Sequence, residues 1–320
     1  MYIRRRLGKY FVEIKRQGHK NIYKTFKQKS DAMKWGRSVE IQLDQSRYKD
    51  TSNASKTTLK SVMERHLKER LRLVRQPKKE QSRYNVIIKN DIVKRYLTNL
   101  TPLIFARYRD ERLDEGISPS TVCRELSFMS IAIKKAIRFY NCWLPEHPIP
   151  NDIKPKESAP RNRRLEEGEF EKLMEHCKTK RNSYWCSMIE FSIETAMRLN
   201  EQLTLKWEQV DLKNMMITIL AEHTKTGIER KIPLTPRAIE ILGSLPRHIK
   251  GRVFPVSLNN FQRAWRSITR NAEIENLHWH DLRREACSRL MESGLSISEV
   301  QMFTGHKTLS LMLKTYSQHN

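Results

Sequence analysis

The sequence predicts a multidomain chain, mainly α with small antiparallel β-sheets, an α+β architecture in three parts. Three observations carry this. Residues 1–50 alternate β-branched and aromatic residues between glycine turns, and residues 57–150 place apolar residues at helical spacing. Two stretches without periodicity, Thr51–Lys56 and Leu144–Pro160, separate the parts. At 320 residues the chain is long enough for two or three domains with a substantial core. The expected domains are 1–50, 57–150 and 161–320.

In the first, Tyr2–Arg6, Tyr10–Arg16 and Asn21–Phe26 are expected as strands, punctuated by Gly8 and Gly18. A helix follows Ser30, with Ala32, Trp35, Val39 and Leu43 on its apolar face. This segment has 14 Lys or Arg against 5 acids. A small basic sheet of that kind can lie in a DNA groove; the plainer alternative is a solubilising cap on the next domain. Thr51–Lys56 is polar and reads as a linker.

The second domain is expected to be all helical. Leu59, Val62, Met63, His66 and Leu67 form one stripe; Leu103, Ile104, Tyr108 and Leu113 form another, ended by Gly116. Ser118 is an N-cap with Pro119 at the first helical position, opening Thr121–Tyr140. Val122, Leu126, Met129, Ile133 and Ile137 face inward there, with Lys134, Lys135 and Arg138 across from much of that stripe. Such a basic face is either solvated or meets phosphates. The candidate DNA contacts are Arg4, Arg5, Arg6 and Lys15 in the sheet and Arg124, Lys134 and Lys135 in the long helix. Five prolines make Leu144–Pro160 a stiff, extended linker.

The third domain opens on Arg161-Asn162-Arg163-Arg164 and a helix over Glu166–Cys177. An apolar helical run (Met188, Ile189, Ile193) turns at Arg198 into another (Leu203, Leu205, Trp207). Strands are expected over Met215–Leu220 and Lys231–Leu234, joined by a hairpin turn, His223-Thr224-Lys225-Thr226-Gly227. Trp279, Leu282, Ala286 and Leu290 give the next helix its buried side, and Ser296-Ile297-Ser298-Glu299 is a capping box. Leu309, Met312 and Leu313 anchor a last helix carrying Tyr316.

The formal charge of +25 and pI near 10.0 point to a polyanionic partner, nucleic acid first among them. The five cysteines are scattered and form no Cys-x-x-Cys, as expected of reduced thiols in a cytosolic protein. Neither an apolar run of about 18 residues nor a signal peptide is evident, so no membrane partner and a cytoplasmic location are expected.

Several residues stand out chemically. Glu201 lies three residues after Arg198, within reach of its side chain or of an amide at a helix start. An ordinary buried ion pair is the alternative there. His280 and Arg283 are three apart, hence on one helix face. Lys225 sits at a hairpin tip, His306 after a Gly turn, and Tyr316 ten residues on. Two arginines, two histidines and a tyrosine are what in-line chemistry on a phosphodiester without a metal requires. No cluster of acids for a two-metal site is evident.

These motifs closely resemble those of the tyrosine recombinases, the phage integrase family. The matching segments are Glu194-Thr195-Ala196-Met197-Arg198-Leu199-Asn200-Glu201-Gln202-Leu203, Thr224-Lys225-Thr226-Gly227, His280-Asp281-Leu282-Arg283-Arg284, and Thr304-Gly305-His306 followed by Tyr316. Ser118-Pro119-Ser120-Thr121-Val122-Cys123-Arg124-Glu125-Leu126-Ser127 resembles that family's core-binding domain. The resemblance implies an arm-binding-like sheet with a helix, a helical SAM-like core-binding domain, and a mixed α/β catalytic domain. It implies that Tyr316 attacks a DNA phosphate, leaving a 3′-phosphotyrosyl bond and a free 5′-hydroxyl. Arg198 and Arg283 would grip the non-bridging oxygens, and His306 would donate a further hydrogen bond. His280 would assist proton transfer from Tyr316, Lys225 would protonate the 5′-oxygen, and Glu201 would orient the site. Such a transesterase needs no cofactor, metal or ATP.

The implied function is integration or excision of a mobile element or prophage by a bacterial or phage-encoded, nucleoid-associated enzyme. The alternatives are a resolvase-like recombinase, a type IB topoisomerase-like enzyme, and a catalytically silent DNA-binding protein. The implied partners are double-stranded DNA at core and arm-type sites, three further copies in a homotetramer on DNA, and host DNA-bending or directionality proteins. Thr304 stands where the family usually has Leu. Only Ser317 to Asn320 follow Tyr316, where many relatives have a longer tail docking on a neighbouring protomer. Either the subunits couple differently, through the Tyr316 helix itself, or the chain is truncated.

Overall fold

The computed structural model describes residues 1–305, apart from 46, 75, 158, 160, 180–183, 225, 226 and 250. The chain divides into two compact units, Met1–Ala159 and Pro160–Asn320.

The first unit contains two separate apolar clusters. Strands β1 (Tyr2–Arg6), β2 (Lys9–Ile14) and β3 (Ile22–Phe26) form an antiparallel sheet in the order β1-β2-β3. Alternation sends Val12 and Ile14 to one face, where Ala32, Val39 and Leu43 of α1 (Lys29–Asp44) cover them. The other face stays open. Arg4 pairs across to Phe11, and Phe11 to Thr25. The guanidinium of Arg4 lies 4.8 Å from the Phe11 ring centre, and Phe11 stacks on Tyr23 at 5.6 Å.

The helical part runs through α2 (Leu59–Leu71), α3 (Pro77–Ile87), α4 (Pro102–Asp114) and α5 (Pro119–Phe139). Thr58 caps α2 and Ser118 caps α5, each accepting from the amide three residues on. Gly116, with φ of 77°, follows the end of α4 as expected. Two of the predicted stripes are buried: Val122, Leu126, Met129 and Ile133 of α5 share a core with Leu59, Val62, Met63 and Leu67 of α2. The stripe expected on α4 is corrected: Leu103 is exposed, Ile104 and Leu113 are only partly buried, and Phe105, not Leu103, joins Tyr108 in the core because the helix turns Phe105 inward. Glu125 is also buried, accepting from the Tyr108 hydroxyl (2.8 Å) and from Arg112 Nε and Nη2 (3.0 and 2.9 Å). The Leu144–Pro160 segment departs from the expected extended linker. Leu144, Ile149 and Ile153 are buried in the bundle core, and His147 is within hydrogen-bond distance of the Ser130 and Ile149 carbonyls. Apolar residues between the prolines make this stretch a strap on the bundle.

His66 is 2 % exposed, packs against the Phe128 ring at 5.1 Å, and has no hydrogen-bond partner on either ring nitrogen. Burial, with Lys135 and Arg70 nearby, lowers its pKa from 6.5 to about 4. The folded pKa lies below the unfolded one, so the unfolded chain takes up the proton first as pH falls. The stability is present above pH 6.5 and is lost as pH falls through about 4. Between pH 7 and 4.5 wild type should therefore lose about 2–3 kcal/mol that His66→Leu does not. Urea melts of both proteins at the two pH values check this; equal losses would rule it out.

The second unit contains α6 (Glu169–Lys178), α7 (Tyr184–Thr195), α8 (Leu199–Thr204), strands β4 (Val210–Asp211), β5 (Met216–Ile219) and β6 (Arg230–Pro233), then α9 (Pro236–Ser244), α10 (Leu258–Asn271), α11 (Trp279–Glu292) and α12 (Ile297–Thr304). The sheet is antiparallel in the order β4-β5-β6, with Ile217 opposite Ile232 in the core. Phe261, Trp265 and Trp279 meet edge to face, Trp279 lying 4.7 and 5.0 Å from the other two rings. They seat the first turn of α11, where His280 follows. Ser296 and Glu299 form the expected capping box of α12.

The expectation of five reduced thiols is corrected at one pair. Cys177 near the end of α6 and Cys186 at the start of α7 form a disulfide, with Cα atoms 5.5 Å apart. A spacing of nine residues carries no motif; the packing of α6 against α7 brings the pair together. Cys123, Cys142 and Cys287 are free and buried. Among the described residues no helix is long and apolar enough to cross a membrane.

Candidate active site

The site is built from the turn between α7 and α8. Ala196 there has φ of 51°, a left-handed conformation uncommon for a residue with a side chain. It reverses the chain and leaves Arg198, whose side chain is 24 % exposed, just before α8. The Arg198 amide donates to Glu201 Oε2 (2.9 Å), and its Nη1 donates to Oε1 (3.1 Å). Glu201 thus caps α8 and holds Arg198 at once. Burial alone would raise the Glu201 pKa; the Arg230 guanidinium and the Arg198 amide and charge outweigh it and hold the carboxyl below its ordinary range.

Arg283 lies one turn into α11 and is only 2 % exposed. Its Nη1 donates to the Ala196 carbonyl and its Nη2 to that of Thr304. One planar guanidinium therefore ties the turn before Arg198 to the end of α12, where Gly305 begins. His280, three residues before Arg283 on the same helix, is exposed. Partial desolvation, then the charges of Arg283, Arg284 and Arg198, lower its pKa, so the imidazole is neutral at pH 7. The structure thus brings Arg198, Glu201, His280, Arg283 and the Gly305 turn together. Lys225, His306 and Tyr316 lie outside the described residues. The turn that leads to Lys225 is braced by Thr224, whose hydroxyl donates to the Ala221 carbonyl (3.0 Å) and accepts from the Ile228 amide (3.1 Å).

Other residues emerge only from the structure. Arg161 Nη2 donates to Asp281 (2.8 Å) and to the Asn276 carbonyl (2.6 Å), and Arg164 Nε donates to Glu285 (3.1 Å). The basic opening of this unit is thereby a clasp on α11. Arg230 of β6 chelates Glu201 from the side opposite Arg198. Arg263, Arg266 and Arg270 are exposed on α10 at i, i+3, i+7 spacing.

The candidate DNA contacts divide. Arg4 and Arg6 share the open face of the sheet, and Arg5 turns to the other face, over the Tyr10 ring. Lys15 is exposed beside Glu13 (3.3 Å). On α5, Arg124 and Lys134 are exposed, whereas Lys135 is engaged with Glu69 (2.8 Å), which also accepts from Tyr140 (2.6 Å).

Residues 163–320 match the model of the phage integrase family. A shufflon-specific DNA recombinase of Escherichia coli is 36 % identical over 244 residues, covering 73 % of this chain; the chain spans 62 % of that protein, just under two thirds. A putative integrase/recombinase of Haemophilus influenzae is 32 % identical over 306 residues, 91 % of this chain and 80 % of that protein. The chain belongs to the phage integrase family, the tyrosine recombinases. Solved recombinase structures share its fold. A lambda integrase dimer bound to a COC′ core site gives a TM-score of 0.68 at 19 % identity, covering 99 % of this chain and 95 % of that one. A lambda integrase tetramer bound to a Holliday junction gives 0.65 at 20 %, covering 95 % and 92 %. The Tn1549 transposon integrase on a circular intermediate DNA gives 0.70 at 14 %, covering 82 % and 96 %. Arg198, Glu201, His280 and Arg283 all lie within the residues that the family model matches.

Proposed function

We propose that this recombinase is a site-specific integrase that cuts and rejoins DNA to integrate or excise a mobile element. The supporting observation is the Arg283 tie, which gathers Arg198, neutral His280 and the Gly305 turn at one place. In the proposed step the Tyr316 hydroxyl attacks phosphorus in line, the bond to the 5′-oxygen breaks, and a 3′-phosphotyrosyl bond forms. The phenol proton goes to His280, which stands neutral to receive it. Lys225 protonates the leaving 5′-oxygen. Arg198 and Arg283, with His306, stabilise the charge that builds on the non-bridging oxygens. The covalent bond conserves the energy of the broken one, so rejoining needs neither ATP nor metal.

The basic, aromatic open face of the sheet, with Arg4 stacked on Phe11, suits an arm-type DNA site. Exposed Arg124 and Lys134, with the arginine stripe of α10, suit phosphates of the core site. The similar lambda integrase assemblies, one a tetramer on a Holliday junction, support a homotetramer on DNA.

The test is a covalent trap. The protein is incubated, with chelator, with nicked suicide duplexes drawn from the DNA flanking its own gene, and a denaturation-resistant adduct is sought. Wild type should give one and Tyr316→Phe none. An adduct that persists in Tyr316→Phe would remove Tyr316 as the nucleophile; specific binding with no wild-type adduct would favour a silent DNA-binding protein. Relaxation of any supercoiled plasmid without a site would favour a topoisomerase.

A further inference from the structure

Arg230 opens β6, on the far side of the hairpin from β5, and no sequence motif marks it. Its Nη1 and Nη2 donate to Glu201 Oε1 and Oε2, both at 2.8 Å, a two-pronged match to one carboxylate. Glu201 is 2 % exposed, and the Arg230 side chain 14 %. The same side chain lies flat under Gly305: a Cβ added there would fall 2.5 Å from Arg230 Cδ and 2.6 Å from Nε. One arginine therefore touches both the carboxylate that holds Arg198 and the turn at the end of α12.

The charges explain why a second arginine is there. Glu201 and Arg198 alone would form a closed, neutral, largely buried pair. Such a pair must open before the guanidinium can grip a phosphate, and opening it exposes an uncompensated buried carboxylate. With Arg230 present, both carboxylate oxygens are already engaged. Arg198 is then held by a single side-chain hydrogen bond and its own amide, and the trio carries a net positive charge. Lysine could supply the charge but not the fork.

We propose that Arg230 is a positioning residue for strand cleavage: it holds the Glu201 carboxylate so that this charge does not neutralise Arg198. The inference rests on the proposal above that Arg198 grips the scissile phosphate.

The test is a double-mutant cycle on single-turnover adduct formation with the suicide duplex, each variant also checked for core-site affinity and thermal melting. Arg230→Gln should slow adduct formation by roughly 30-fold or more while affinity stays within about threefold. Glu201→Gln should be slowed less, by under about tenfold. The double variant Arg230→Gln with Glu201→Gln should return to the rate of Glu201→Gln alone, because no carboxylate charge remains to restrain. A purely structural Arg230 would leave the double variant no faster than Arg230→Gln, and that result would overturn the inference. So would Glu201→Gln at least as slow as Arg230→Gln, or affinity falling in step with rate. If Arg230→Gln does not fold, Arg230→Met takes its place, with the same loss and the same rescue expected, since it too removes the charge and the fork. No adduct from wild type would overturn the proposed function and this inference with it; a wild-type adduct without rescue overturns the inference alone.

Discussion

Arg283→Lys is expected to lower the single-turnover cleavage rate by about 10²–10³, the scale of losing a preorganised charged donor at a reacting phosphate. The geometry makes the change severe. The guanidinium reaches two carbonyls on different segments, Ala196 and Thr304, from a position 2 % exposed. An ammonium is a point donor and cannot span both, so one buried carbonyl is left unsatisfied, at about 1–3 kcal/mol. The variant should therefore melt lower as well as cleave more slowly. Adduct kinetics and a thermal melt on the same preparation check both. Cleavage within tenfold of wild type would show that the tie is dispensable.

The second large effect is on stability. Glu125→Ala should destabilise the helical part of the first unit by about 3–5 kcal/mol, the cost of removing one partner from a buried ion pair. Glu125 is 2 % exposed and takes three donors, one from Tyr108 and two from Arg112. Burial and the neighbouring Glu125 push the Tyr108 phenol up, so it remains a donor throughout the neutral range. Removal of Glu125 leaves Arg112 with Glu115 as its carboxylate and strands the Tyr108 hydroxyl. A urea melt of the full chain, followed by a probe of the first unit, measures this. A loss below about 1 kcal/mol would place the network among the exposed pairs of little consequence.

Much of the helical part could be read from local chemistry. Ser118 with Pro119 announced the start of α5, and Val122, Leu126, Met129 and Ile133 of its expected face are buried, with Ile137 partly so. The shortfalls have physical causes. The helix expected from Glu166 starts at Glu169, because Gly168 takes φ of 77° and turns the chain first. The Pro-rich stretch looked like a linker because prolines suggest extension, yet Leu144, Ile149 and Ile153 had a core to enter. In the site, Arg198, Glu201, His280 and Arg283 were legible as short motifs. Arg230 was not. It stands 29 residues from Glu201, and only the pairing of β5 with β6 brings them together. Nor does spacing reveal that Arg283 bonds the two backbones on either side of it.

The clasp made by Arg161 and Arg164 has a consequence for synthesis on the ribosome. Their partners Asp281 and Glu285 lie 120 and 121 residues downstream. Contacts so distant in sequence form late, since a long loop must close before they are rewarded. As the chain emerges, the opening segment of the second unit waits, basic and unclasped, until α11 leaves the exit tunnel. The same helix delivers His280 and Arg283. The clasp therefore closes on the helix that carries these two side chains before α12 and Tyr316 have emerged.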